Sequence, residues 1–177
     1  MADPPWEVGR GPPWNSNLAS RPLTYPTMTL EQIKKLNVKD YADDGCVLYL
    51  WTINKYLEHA YDVARSWGFK PSTVLVWCKN PHGIGLGGTY CLTTEYCLFA
   101  TRGGVNQKMR IDTTWFNYKR GRHSEKPSEF MELFEKVSNA PYLELFSRVK
   151  RLNWDVWGNE VESDIQLNIQ GGTQSEA

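Results

Sequence analysis

Apolar and polar positions along this chain fall into blocks whose period shifts between helical and strand-like. TLEQIKKL (29–36) has helical spacing and its own start signal. Thr29 and Gln32 stand at capping-box distance, with Met28 and Ile33 placed as a hydrophobic staple. CVLYLW (46–51) is an unbroken apolar run of strand formers, the pattern of a strand buried on both faces. Tyr56, Ala60, Val63, Ala64 and Trp67 then recur at helical spacing, and Gly68 stands where a C-terminal cap is expected. STVLVW (72–77) and EYCLFATR (95–102) predict two further strands, the second after a glycine-rich loop. Residues 103–125 read as irregular and basic. A helix is predicted from near Pro127, with Phe130, Leu133, Phe134 and Val137 on one face. YLELF (142–146) and DVW (155–157) complete the ordered part as strands. From about Ser163 the tail is expected to find little to pack against and to fray. Alternating helices and strands, with the strands unbroken apolar runs, argue an α/β fold with a largely parallel sheet.

Composition changes this picture little. The chain has 177 residues, 41% of them hydrophobic and 23% charged, as in a soluble globular protein long enough for one full core. The formal net charge is +0, so a surface for nucleic acid would have to be a local patch. No apolar run approaches the roughly 18 residues of a membrane span, and no secretory h-region is present. Cys46, Cys78, Cys91 and Cys97 form no CxxC pair and suggest buried thiols in a reducing compartment. His59, His82 and His123 make no HxxxH pair, so no structural metal is expected.

Two stretches carry candidate chemistry. GIGLGG (83–88) satisfies G-x-G-x-x-G, but TYCLTTEYCLF follows it, a strand-like run where a dinucleotide fingerprint needs a helix. It reads better as a flap beside a binding site. The other stretch is the opening MADPPW. Both prolines fix φ and lack an N–H, so the segment is expected to be an extended rod whose carbonyls have no local donor. Asp3 at one end and Trp6 at the other would present acceptors beside an aromatic face. A planar base with an exocyclic amino group fits that description. The plainer alternative is a polyproline-type ligand, and PPW does recur at Pro12-Pro13-Trp14, without the acid.

Three further stretches follow DPPW in order: RHSEKPSEF (122–130), YLELFSR (142–148) and NWDVWGNEV (153–161). With YPTMTLEQI, LYLWTIN, WGF and VWCKN, they resemble the adenine-N6 methyltransferase family that contains the mRNA adenosine methylase catalytic subunit and bacterial and phage DNA relatives. The resemblance covers roughly Asp3 to Val161. It implies a Rossmann-like fold using S-adenosylmethionine, with permuted motif order, a methyltransferase domain over 1–162 and a flexible tail over 163–177.

The resemblance also implies roles. Asp3 and the Pro4 carbonyl would accept the two hydrogens of the adenine amino group, and Pro5 and Trp6 would wall the base. Because the methyl donor is already activated, catalysis would be mainly alignment and electrostatics. Lys126, just before a helix N-terminus, would take the cofactor's methionine carboxylate. Arg148, Asn159 and Glu160, just past strand ends, would complete the cofactor site. Glu144 reads as structural. The substrate side would be formed by residues 7–25, including Trp14, and by the basic run of Lys119, Arg120, Arg122 and His123, with phosphates as partners.

Two departures from the family pattern stand out. A strand normally runs directly into DPPW, whereas Met1 and Ala2 alone precede Asp3, so a gap or unpaired edge is expected in the sheet. Val149-Lys150-Arg151 lacks the His-Asn pair of the eukaryotic RNA enzymes, which favours a prokaryotic or phage cytoplasmic enzyme acting on DNA rather than RNA. A protein partner or homo-oligomer is an open expectation, and a membrane association is not expected. The competing readings are a non-catalytic nucleic-acid-binding subunit or an inactive remnant.

Overall fold

The computed structural model describes residues 1–7, 26–80, 89–105, 107–121 and 125–169. Trp14, Arg122, His123 and the GIGLGG loop lie outside the described residues.

Helix α1 (Leu30–Lys34) begins as its sequence predicts. Thr29 accepts from the Gln32 backbone N–H, and the Gln32 side chain accepts from the Thr29 N–H. Helix α2 (Leu57–Ser66) ends at Trp67 and Gly68, the latter at φ +84°, the left-handed conformation that glycine adopts without a Cβ clash. Helix α3 (Ser128–Val137) starts at Pro127. The strands are β1 (Val47–Thr52), β2 (Lys70–Cys78), β3 (Thr94–Thr101), β4 (Trp115–Phe116), β5 (Tyr142–Leu145) and β6 (Trp154–Trp157). Short 3₁₀ turns at Val38–Tyr41 and Asn54–Tyr56, and the two-residue β4 inside the expected irregular stretch, carry no apolar period long enough to be read from sequence.

The strand order is β1-β3-β2-β4 in one sheet and β5-β6 in another. Ala2 joins them. Its N–H donates to the Tyr49 carbonyl at 2.8 Å, and its carbonyl accepts from the Trp51 N–H at 2.8 Å. On the other side the Leu145 N–H donates to the Met1 carbonyl at 2.9 Å. Ala2 thus bridges Leu50 and Leu145, parallel to both. The gap expected in front of DPPW is therefore occupied by residues 1–3, which pair on both sides.

One topological expectation needs correction. β3 runs antiparallel to both β1 and β2, while β4 is parallel to β2 and β6 to β5. The link from β2 to β3 returns the chain directly alongside itself, with Cys78 opposite Thr94. A parallel neighbour needs a helix-sized crossover instead.

Alternation along β1 builds the core on both faces. Leu48 and Leu50 face a cluster with Ile33, Ala60, Val63, Ala64, Trp67 and Leu98 beneath α1 and α2. Tyr49 and Trp51 face a second cluster with Trp77, Phe116, Phe130 and Phe134 beneath α3. Each large apolar side chain buried this way contributes roughly 1.5–3 kcal/mol. Tyr49 stacks on Phe134 at 3.7 Å between ring centroids, and Trp51 meets Phe130 edge-on at 4.8 Å.

Residues 163–169 differ from the expected fraying tail. Ile165 and Leu167 pack on the first cluster. The Asn37 N–H donates to the Asn168 carbonyl at 3.2 Å, and Leu36 bridges Ile169. The alternation in IQLNI supplies an apolar face that a reading by composition overlooks. Of the cysteines, Cys97 is buried as expected, whereas Cys91 is exposed because it precedes β3 rather than lying within it. Among the described residues no helix is long and apolar enough to cross a membrane.

Candidate functional site

The site is assembled at the edge of the sheet where β1, β2, β5 and β6 end. Asp3 follows the paired Ala2 and leaves the sheet there, with its N–H 3.4 Å from the Leu145 carbonyl. The two prolines then turn the chain. The Trp6 N–H donates to the Pro4 carbonyl at 2.8 Å, a tight turn centred on Pro5. The Met28 N–H donates to the Pro5 carbonyl at 3.0 Å. Both carbonyls of the rod therefore have donors, contrary to the sequence expectation. Each keeps a second lone pair for an outside donor.

Trp6 is corrected more fully. Its indole is 5% exposed, donates its N–H to the Trp51 carbonyl at 3.0 Å and stacks on Tyr56 at 5.2 Å. Instead of an open aromatic face beside the acid, the ring anchors the rod in the core. A large apolar ring four residues from a sheet pairing is driven inward by its own burial.

Lys126 reaches back across 123 positions of sequence to this rod. Its Nζ lies 2.6 Å from Asp3 Oδ2, 3.4 Å from Glu95 Oε2 and 5.3 Å from the centre of the Trp51 ring. Glu95 in turn pairs with Lys79, Nζ to Oε1 at 2.5 Å. The four charged groups form an alternating row, Lys79–Glu95–Lys126–Asp3, with zero formal charge. Lys79 directly follows the end of β2, and Glu95 stands level with it because β3 is reversed: Glu95 is opposite Trp77.

Burial disfavours charge on Lys126, Glu95 and Asp3, and the row compensates unevenly. Burial acts to lower the Lys126 pKa, but Asp3 and Glu95 outweigh it and hold the ammonium above the usual lysine value. Burial acts to raise Glu95, and Lys126 and Lys79 outweigh it, leaving the carboxyl below the ordinary glutamate value. At Asp3 burial wins: its carboxyl lies above the ordinary aspartate value despite Lys126. The Asp3 side chain keeps 32% exposure, so an edge remains open to an external donor.

The β5 and β6 ends are clamped together beside Asp3. The Ser147 N–H donates to the Trp157 carbonyl at 2.9 Å. A Cβ on Gly158 would lie 2.0 Å from the Ser147 carbonyl oxygen, so this approach requires glycine. Phe146 adopts φ +65°, strained for a bulky residue, with its ring against Trp157 at 5.2 Å. This clamp places Arg148 beside Glu160, Nε to Oε1 at 3.6 Å, with Asn159 and Glu160 exposed. Glu144 lies further back, 14% exposed and 4.0 Å from Arg151, and burial raises its pKa. Lys119 and Arg120 are exposed where their strand of chain meets the end of β2, the Arg120 N–H donating to the Asn80 carbonyl at 2.8 Å.

The structure therefore brings Asp3, Pro4, Pro5 and Lys126 together, sets Arg148, Asn159 and Glu160 beside the clamp, and withdraws Trp6 into the core. Glu95, Lys79 and Trp51 are functional candidates that sequence reading missed. The available signal was a charged residue at each of two strand ends, TTEYC and VWCKN.

A mixed α/β sheet with a charged row gathered where β1, β2, β5 and β6 end is the arrangement expected of an enzyme that places a cofactor at strand ends. Residues 1–160 match the MT-A70 family, and the chain belongs to that family. It is 30% identical over 190 residues to the type II methyltransferase M.MunI from a Mycoplasma species, covering 96% of this chain and 80% of that protein. It is 28% identical to the human N(6)-adenosine-methyltransferase catalytic subunit METTL3 over 92% of this chain, and 27% identical to an Arabidopsis thaliana MT-A70-like N(6)-adenosine-methyltransferase over 95%. The chain spans 28% and 24% of those two proteins.

Proposed function

We propose that this chain transfers a methyl group from S-adenosylmethionine to the N6 amino group of adenine in nucleic acid, with DNA preferred to RNA. The observation that carries this reading is the pairing of Asp3 with Lys126 at the strand ends, inside a chain that belongs to the MT-A70 family. The DNA preference is supported by the 80% coverage of the Mycoplasma type II methyltransferase, against about a quarter of the eukaryotic adenosine methyltransferases.

The residues present fit the cofactor. Lys126 has three hydrogens, and Asp3 and Glu95 engage two, which leaves one for a carboxylate. The first-turn amides of the ten-residue α3 follow it directly, with no side chain capping them. Arg148, Asn159 and Glu160 supply polar groups of both signs on the far side. When bound, S-adenosylmethionine supplies an activated methyl sulfonium.

The chain's own residues do the rest. The adenine amino nitrogen is a poor nucleophile because its lone pair is delocalised into the ring. Asp3 and the second lone pair of the Pro4 carbonyl would accept its two hydrogens and turn the nitrogen lone pair toward the methyl group. Lys126 keeps Asp3 in place. The exposed Lys119 and Arg120 would contact phosphates, and Arg122, His123 and Trp14 belong to the same substrate-side proposal. The protein would work in the cytoplasm.

The test is transfer of tritiated methyl from the cofactor to adenine-containing DNA and RNA, with digestion to identify the labelled nucleoside. N6-methylated deoxyadenosine made by the wild type, and none by Asp3→Ala, is the expected result. Oligonucleotide binding without transfer under any condition would instead support a binding subunit.

A further inference from the structure

Lys126 touches more than Asp3, and its other contacts are unexplained by the methyl transfer as derived above. Its Nζ lies 3.4 Å from Glu95 Oε2 and over the Trp51 ring. The Glu95 side chain is 17% exposed, Lys126 13% and Lys79 19%. A carboxylate this enclosed needs compensation, and Glu95 obtains it from two ammonium groups, one on each oxygen. Its own strand is rigidly placed: Glu95 is opposite Trp77 within the longest pairing of the sheet. Trp77 is itself 3% exposed, and Lys79 lies 5.4 Å from its ring centre.

The consequence concerns Lys126. A lysine side chain has four rotatable carbons and would sweep a wide volume if held at Asp3 alone. Two fixed carboxylates and a ring face leave its ammonium a single position. Without Glu95 the ammonium would carry only one partner in an enclosed site.

We infer that Glu95, itself held by Lys79, is a positioning residue of this site: it fixes the ammonium of Lys126 in place against Asp3. Glu95 acts through Lys126 and makes no bond to the reacting atoms. The inference builds on the proposed methyl transfer for its effect on rate, but not for its effect on Lys126.

Two measurements test it, on the full chain. The first needs no activity. Lysine labelled with ¹³C at Cε reports each ammonium by NMR, and Lys126→Met assigns the Lys126 signal by its disappearance. In the wild type that signal is expected to titrate above the ordinary lysine value. In Glu95→Gln, which keeps size and shape, it is expected to titrate lower by roughly one pH unit or more. A Lys126 titration unmoved in folded Glu95→Gln overturns the inference.

The second measurement is methyl transfer. Glu95→Gln should lower kcat roughly tenfold and move the alkaline limb of the pH profile toward neutrality. Glu95→Asp should recover part of the rate. Combined with Lys126→Met, Glu95→Gln should add little further loss, since it acts through that lysine. Full additivity in the double variant overturns the inference. If the wild type transfers no methyl group but its Lys126 titration moves as expected, the functional reading falls and the positioning of Lys126 stands.

Discussion

The Lys126 ammonium lies 2.6 Å from the Asp3 carboxylate, joining the first turn of the chain to the segment that leads into α3. This one contact ties the DPPW motif to the EKPSEF motif. It also means that neither charge is independent of the other, and the consequences can be measured.

Asp3→Asn should fold, because the amide keeps the shape and Lys126 retains Glu95. It should lose about 100-fold or more in methyl transfer, the scale for removing one charge-aligning group from such a site. Single-turnover transfer with tritiated cofactor reads this directly. A folded Asp3→Asn with wild-type rates would remove Asp3 from the mechanism.

Lys126→Met leaves Asp3 and Glu95 facing each other with no cation between them. Stability should fall by about 1–3 kcal/mol, read as a lower urea midpoint at neutral pH. The deficit should shrink in Lys126→Met combined with Glu95→Gln, which removes one of the stranded carboxylates.

The pH dependence of stability follows from the signs of the shifts. Glu95 is lowered in the folded state, so its stabilisation is present above the unfolded glutamate value of 4.5 and is lost as pH falls through its folded value. Lys126 is raised, so its stabilisation is present below the unfolded lysine value of 10.5 and is lost as pH rises through its folded value. Asp3 is raised and works against Glu95 on the acid side. Glu95→Gln should therefore flatten the acid limb of a plot of denaturation midpoint against pH, and Asp3→Asn should steepen it.

Gly158→Ala tests the clamp between the strand ends. Its Cβ would fall 2.0 Å from the Ser147 carbonyl oxygen, so backbone must shift. A loss of about 3 kcal/mol is expected, at the upper end for overpacking, with a lower thermal midpoint. Cofactor affinity should drop as well, because Arg148 and Asn159 flank the displaced turns.

Trp6 separates an anchor from a stacking surface. Trp6→Phe should cost about 1 kcal/mol for the lost bond to the Trp51 carbonyl, whereas Trp6→Ala should cost about 3–5 kcal/mol. A Trp6→Phe variant of unchanged stability that fails to bind oligonucleotide would show that the ring meets the base after all.

Much of this was legible in the residues. The capping box at Thr29, the glycine after α2, the proline before α3 and the apolar runs of β1, β2, β3 and β5 are local signals, and local geometry obeys them. Trp6 was misjudged because pattern alone cannot say whether a ring after two prolines turns outward or inward. That is decided by whether a cavity awaits it, here between Tyr56 and Trp51.

The direction of β3 was the larger omission. A parallel β3 would carry Glu95 to the opposite edge of the sheet, far from Lys126. Reversal brings it level with Trp77 and within reach of both lysines. By itself the sequence determined the three helices and the longer strands to within a few residues, and the residues of the two motifs, because these rest on interactions within a few positions of chain. Only the tertiary structure decided which charges meet. The Asp3–Lys126–Glu95–Lys79 row depends on strand direction and on pairing between distant segments, and no local period encodes either.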